Sequence, residues 1–200
     1  GRTEAALCRG LLLPLAVGVS CCESLRQTGV DCAEIRWIND VLIAGKKVAG
    51  ILMEGFYGPY SREEYNLIGF GININNGNFP EEIREAAVSA RDYLERPVDL
   101  ETFTYCFLAK LTWNLGLLCH HEDCLLSEGG WSRAQRNHPL IERWCELSST
   151  VGRRVLFGFD VMTNPQYRAA VTGISGTGGL QLKLDDGSEI VEHSGEIRYL

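Results

Sequence analysis

EIRWINDVLIAGKKVAGILME, residues 34–54, is the stretch on which the reading of this chain turns. Residues 33–37 and 47–53 are rich in strand formers, and Ala44-Gly45 between them reads as a hairpin turn. An aromatic, an amide, a carboxylate and two lysines crowd around that turn: Trp37, Asn39, Asp40, Lys46 and Lys47. IGFGININ follows at 68–75, within a predicted strand over 65–74. Gly69 and Gly71 weaken such a strand unless something must approach its backbone closely. Polar groups set among apolar strands are poor core material, because each needs a hydrogen-bonding partner once buried. The pattern points to a pocket for a polar, anionic ligand. Lys47 is a compact charge suited to a carboxylate or phosphate. Asparagine offers a donor and an acceptor together, and Gly50 leaves room at the backbone. Each also has a plainer reading: Asn39-Asp40 as a turn, and Lys46-Lys47 as a solvated hairpin tip.

Outward from this centre, the spacing predicts a helix over 12–28, with Leu15, Val19, Cys22 and Leu25 on one face and Gly29 as its C′ residue. Pro80 opens a predicted helix over 80–94. Asp99 caps a longer one whose stripe is Leu100, Phe103, Phe107, Leu111, Leu115 and Leu118. A further helix is expected at 137–148. The character changes near Thr150. Short alternating strands follow at 155–159, 168–174, 180–184, 188–192 and 196–199, separated by Gly-rich or Asp-Gly turns. They predict a small five-stranded barrel.

The chain has 200 residues, enough for one large domain or one domain with a small appendage. A net charge of -7 argues against broad binding to nucleic acid. The apolar run at 11–19 is broken by Pro14 and too short to span a bilayer, and no secretory signal is visible at the start. Cysteines 8, 21, 22, 32, 106, 119, 124 and 145 form no CxxC and no regular framework, so free, mostly buried thiols in a reducing compartment are expected. Cys119, His120, His121 and Cys124 lack the spacing of a structural zinc site. His138 and His193 read as ordinary surface or core histidines, and Cys21-Cys22 as helix packing. Trp113, Trp131 and Trp144 read as core residues.

The ordered string RWINDVLI, AGKKVAGILME, GFGININ and NFPEEIREAAVSA resembles the biotin–protein ligases, whose signatures are KWPNDV, GKKxAGIL, GIGxNxN and FP…A(T/S)S. VGRRV at 151–155, LKLDDG and SGEI resemble the family's small C-terminal domain. The resemblance implies an α+β fold: a mixed sheet flanked by helices, like the class II synthetases and biotin–lipoate ligases, followed by an SH3-like small β-barrel. It implies a catalytic domain over 1–149 and a barrel over 150–200. It also implies joining of biotin and ATP as biotinyl-5′-AMP, then transfer to a lysine of a biotin carboxyl carrier domain.

Carried over by motif position, Lys47 would hold the biotin carboxylate and the developing phosphate charge, and Asp40 would orient the carrier lysine. Arg36 stands at the family's Lys position, where its geometry is not equivalent, and Ile38 stands at the family's Pro. Asn39 and Asn73 would face the nucleotide. Gly50, Ile51, Gly71 and Ile72 would wall the biotin, with Trp37 and Gly69 also at the site. Magnesium is implied with ATP, although no dedicated carboxylate cluster for it is visible. The family's GRGRxGR loop has no counterpart, because Arg2, Arg9 and Arg26 form no such cluster; the resemblance therefore implies a catalytic domain lacking its N-terminal third. It allows a homodimer through sheet edges and implies a cytoplasmic setting, with no DNA or membrane partner. The alternatives are a binding protein that has lost adenylation and, ranked last, a lipoate ligase.

Overall fold

The computed structural model describes residues 2–57, 64–127 and 138–200, with side chains over 12–57, 65–120 and 138–200. Helix α1 runs Arg2–Gln27 and passes through Pro14. Leu15, Val19, Cys22 and Leu25 are all buried, as their spacing predicts. The helix stops at Gly29, whose φ is 101°. Val30 N–H reaches back to the Leu25 carbonyl and Gly29 N–H to that of Arg26. These paired bonds define a Schellman cap, with Leu25 and Val30 both buried beneath it.

Four strands follow: β1 (Ala33–Arg36), β2 (Asp40–Ile43), β3 (Lys46–Tyr57) and β4 (Glu64–Ile72). They form an antiparallel meander in that order. Ala44 and Gly45 turn β2 into β3 with positive φ at both positions, 49° and 81°, the signature of a type I′ hairpin. α1 lies against β1, β2 and β3 on one side, and against α3 (Leu100–Ser127) and α4 (Pro139–Glu146) on the other. Burying each core Leu, Ile or Val here contributes about 1.5–3 kcal/mol. Between α1 and α3 a buried polar pair is matched, Asn114 Nδ2 donating to Ser20 Oγ at 2.9 Å.

Among the described residues, the mixed character expected of the sheet is confined to one parallel bridge, Lys47 to Ala87. That bridge corrects a prediction. Instead of a helix over 80–94, turns cover 81–86 and only Ala90–Leu94 is helical, as α2. Lys47 N–H bonds the Ala86 carbonyl and Val88 N–H bonds that of Lys47. The chain is drawn out along β3, and helix resumes only where Ser89 caps the Asp92 N–H. Asp99 caps α3 as predicted, accepting from the N–H groups of Glu101 and Thr102. Along the α3 stripe Phe103, Phe107 and Leu118 are buried, but Leu100 is exposed. Trp113 is also a correction, being 70% exposed on the outer face of α3, whereas Trp144 is fully buried. Trp131 and the side chains of His121 and Cys124 lie outside the described residues.

The second sheet contains β5 (Arg154–Gly158), β6 (Tyr167–Ile174), β7 (Leu180–Leu184), β8 (Glu189–Glu192) and β9 (Glu196–Tyr199). Its order is β8-β7-β6-β5-β9. It is a meander whose last strand returns to its first, around Val155, Phe157, Val171, Leu182 and Ile197. Cys21 and Cys22 are buried free thiols. Burial pushes the Cys21 thiol up, and that of Cys22 up to about 12. No helix among the described residues is long and apolar enough to cross a membrane.

Candidate functional site

The polar cluster sits where β1, β2 and β3 meet. Arg36 closes β1 and Asp40 opens β2, and the two are register partners. Arg36 NH2 lies 2.5 Å from Asp40 Oδ2, and Lys47 Nζ lies 2.5 Å from Oδ1. One carboxylate holds two cations, so the cluster keeps a net positive charge. The Asp40 side chain is only 14% exposed, against 47% for Lys47. Its Oδ1 is buried and makes no well-aligned hydrogen bond. Lys47 therefore holds that oxygen by charge rather than by a directed bond.

Strict alternation would put Lys47 and Gly50, three residues apart, on opposite faces of β3. A β-bulge prevents this. Val41 pairs with Ala49 but Leu42 pairs with Lys47, so Val48 is extra. Such a bulge re-aims side chains on its own strand. It brings Lys47 round to the face of Asp40, whose register partner is Gly50.

That face continues along β3 and β4. Gly50, Leu52, Glu54 and Phe56 pair with Gly71, Gly69, Leu67 and Tyr65. Leu52 and Leu67 are 62% and 56% exposed, and the Phe56 and Tyr65 rings stack at 5.9 Å. A Cβ at Gly71 would meet nothing within 4 Å. The glycines thus leave open backbone beside the cations, with an apolar strip beyond. Ile51 and Ile72 belong to the other face. Ile51 is buried, its Cδ1 3.7 Å from where a Cβ on Gly18 of α1 would stand. Its side chain is core, which separates it from Gly50.

The asparagines are largely committed to backbone. Asn39 Nδ2 donates to the Ile51 carbonyl at 2.8 Å. Asn73 Oδ1 accepts from Asn76 at 2.8 Å, while Asn73 N–H bonds Val48. Asn75 both donates to and accepts from the Val98 backbone. Trp37 is 2% exposed, and its indole N–H donates to the Gly178 carbonyl at 3.2 Å. It is the bolt between the two sheets.

A cleft of about 250 Å³ opens over the cluster. Arg36, Asn39, Asp40 and Lys47 form one wall; Met162, Glu196 and Arg198 come from the second sheet and its loop. Sequence reasoning missed this second wall. The SGEI string marks Glu196, but nothing local says that β9 faces Lys47. Asp40 and Glu196 are the carboxylates lining the cleft, and both Asp40 oxygens already face cations. This donor set does not fit a dedicated magnesium site, and no group of three His, Cys, Asp or Glu suited to a metal occurs among the described residues.

The fold is that of an α+β domain with a small β-sheet unit closing one side of its cleft. A model of the Biotin/lipoate A/B protein ligase family matches residues 7–73. The bifunctional ligase/repressor BirA of Bacillus subtilis is 32% identical over 101 residues, 48% of this chain and 31% of that protein. BirA of Salmonella typhimurium is 26% identical over 192 residues, 92% of this chain and 52% of that one. The chain thus spans about half or less of the curated relatives it matches. The biotin protein ligase of Aquifex aeolicus superposes with a TM-score of 0.72 at 22% identity, covering 95% of this chain and 75% of that one. Its complex with biotin and ATP gives 0.71 over 95% and 72%. The chain is thus similar to the Biotin/lipoate A/B protein ligase family over residues 7–73 and shares the fold of a biotin protein ligase over nearly its whole length.

Proposed function

We propose that this chain carries the Lys47–Asp40 half of a site that forms biotinyl-5′-AMP from biotin and ATP and passes the biotin to a lysine of a biotin carboxyl carrier domain. The observation that carries the reading is a net-positive cluster beside open glycine backbone and an apolar strip. Biotin has matching parts, a carboxylate on an apolar tail, and its adenylate adds a phosphate.

In this reading Lys47 meets the carboxylate and the charge that develops at phosphorus, where a preorganised cation lowers the barrier. Arg36 supplies a second cation from β1. Asp40 is the group an incoming carrier lysine meets; its carboxylate orients that lysine and takes up its proton, and the free amine attacks the activated carbonyl as AMP leaves. Asn39 and Trp37 bound the pocket, each donating to a backbone carbonyl, while Asn73 accepts from Asn76. Magnesium enters with the ATP substrate and no residue of this chain is assigned to it. In this reading the reaction runs in the cytoplasm, where ATP is supplied.

Calorimetric titration with biotinyl-5′-AMP tests the reading. Binding is expected, weakened at least tenfold by Lys47→Ala. Absence of heat at high micromolar ligand sinks it. Binding without formation of adenylate from biotin and ATP assigns this chain a binding role alone, and preference for the lipoyl adenylate moves it to the lipoate branch.

A further inference from the structure

We infer that Gly50 is a positioning residue for Lys47: a missing side chain at 50 is the slot through which the lysine crosses β3 to reach Asp40. The inference rests on the reading of Lys47 as the ligand-binding cation, but its geometry stands apart from it. A Cβ on Gly50 would lie 2.8 Å from Lys47 Cε and 3.0 Å from Nζ. The first is closer than a Cβ tolerates and the second is tight enough that the lysine must give way, and both fall on its ion-pairing end. Gly50 is also the register partner of Asp40. The lysine stem therefore lies over the residue directly opposite the carboxylate it pairs with.

The backbone itself does not call for glycine at this position. Gly50 sits in the ladder between Asp40 and Gly71, and it is not among the residues of positive φ. Alanine suits an extended strand better, since glycine gives up more conformational freedom on folding. Neighbouring Gly71 shows the contrast, because a Cβ there meets nothing within 4 Å. On this strip, 71 is open surface and 50 is occupied by the lysine. The Val48 bulge and the Gly50 slot act together: the bulge turns Lys47 to the Asp40 face, and the slot lets it lie flat there.

The test compares Gly50→Ala, Lys47→Ala and the double variant with the unaltered chain. Two readouts are taken: the isotope-labelled lysine ammonium signal of Lys47, identified by its loss in Lys47→Arg, and the affinity for biotinyl-5′-AMP. Gly50→Ala is expected to move the Lys47 signal to the position it takes in Asp40→Asn, with the melting temperature unchanged or raised. It should weaken the adenylate about tenfold, and the double variant should bind within twofold of Lys47→Ala alone. An unmoved Lys47 signal in Gly50→Ala overturns the inference. So does a double variant whose loss is the product of the two single losses. If the unaltered chain binds no adenylate, the proposed function fails, while the ammonium signal still decides the role of Gly50.

Discussion

The two sheets of this molecule treat their apolar residues in opposite ways. The five-stranded sheet wraps round its own: Val155, Phe157, Ala169, Val171, Leu180, Leu182 and Ile197 are all buried. The four-stranded sheet buries one face against α1 and leaves the other open, with Leu52, Phe56, Tyr65 and Leu67 between 45% and 62% exposed. Contiguous exposed apolar surface of this kind marks a place where something binds. The contrast teaches where function lies. The closed sheet supplies one wall of the cleft, and the open sheet carries the residues proposed to act there.

The comparison breaks most readily at Phe157. This ring is fully buried, stacked on Tyr167 at 5.0 Å and tilted against Trp37 at 6.4 Å. Gly195 accommodates it, since a Cβ there would meet the Phe157 ring at 2.7 Å. Phe157→Ala is expected to cost about 3–5 kcal/mol in urea denaturation, the usual range for emptying a packed aromatic site. A loss below about 1 kcal/mol would mean that the second sheet has no tight core of its own.

Trp37 sharpens the comparison by testing how firmly the sheets are joined. Trp37→Phe keeps the ring and removes the N–H that holds the Gly178 carbonyl. Leaving a carbonyl without its partner in a covered site costs about 1–3 kcal/mol. Scanning calorimetry should show that loss, with one unfolding transition broadening toward two. A single sharp transition at the original temperature would show that the hydrogen bonds of Ser148, Ser149 and Thr150 to Ile35, Glu34 and Tyr199 hold the sheets together without it.

What was legible in the sequence follows a physical divide. The Gly29 cap, the Ala44-Gly45 hairpin, the Asp99 cap and the strands of the second sheet are written in neighbouring residues, and they appear where local chemistry places them. The Lys47–Asp40 pair was legible as a cluster through its motif. The bulge that makes the pair was not, because it depends on register between β2 and β3. The helix expected from Pro80 failed for a similar reason. Backbone bonds from Ala86 and Val88 to Lys47 outweigh the local preference of residues 80–89. Met162, Glu196 and Arg198 stand more than 110 residues from Lys47, and no periodicity could have brought them to the same cleft.

The smallest expected effect lies on the open face, and it separates an exposed strip from a hidden interface. Leu67 is 56% exposed and its register partner is Glu54. Threonine is a good strand former, and a surface change of this kind usually stays within about 0.5 kcal/mol. Leu67→Thr should therefore leave stability nearly untouched when urea curves are recorded at low protein concentration. Repeating them at a hundredfold higher concentration gives the sharper result. Where two copies pair through this face, association stabilises the folded state by mass action, and the midpoint rises with concentration. Leu67→Thr would then abolish the rise without shifting the dilute midpoint. A midpoint independent of concentration in both proteins would leave the strip free for the ligand side of the Lys47 site. A loss above about 1 kcal/mol in dilute solution would break the comparison itself, because it would show that this face is packed as tightly as the one beneath it.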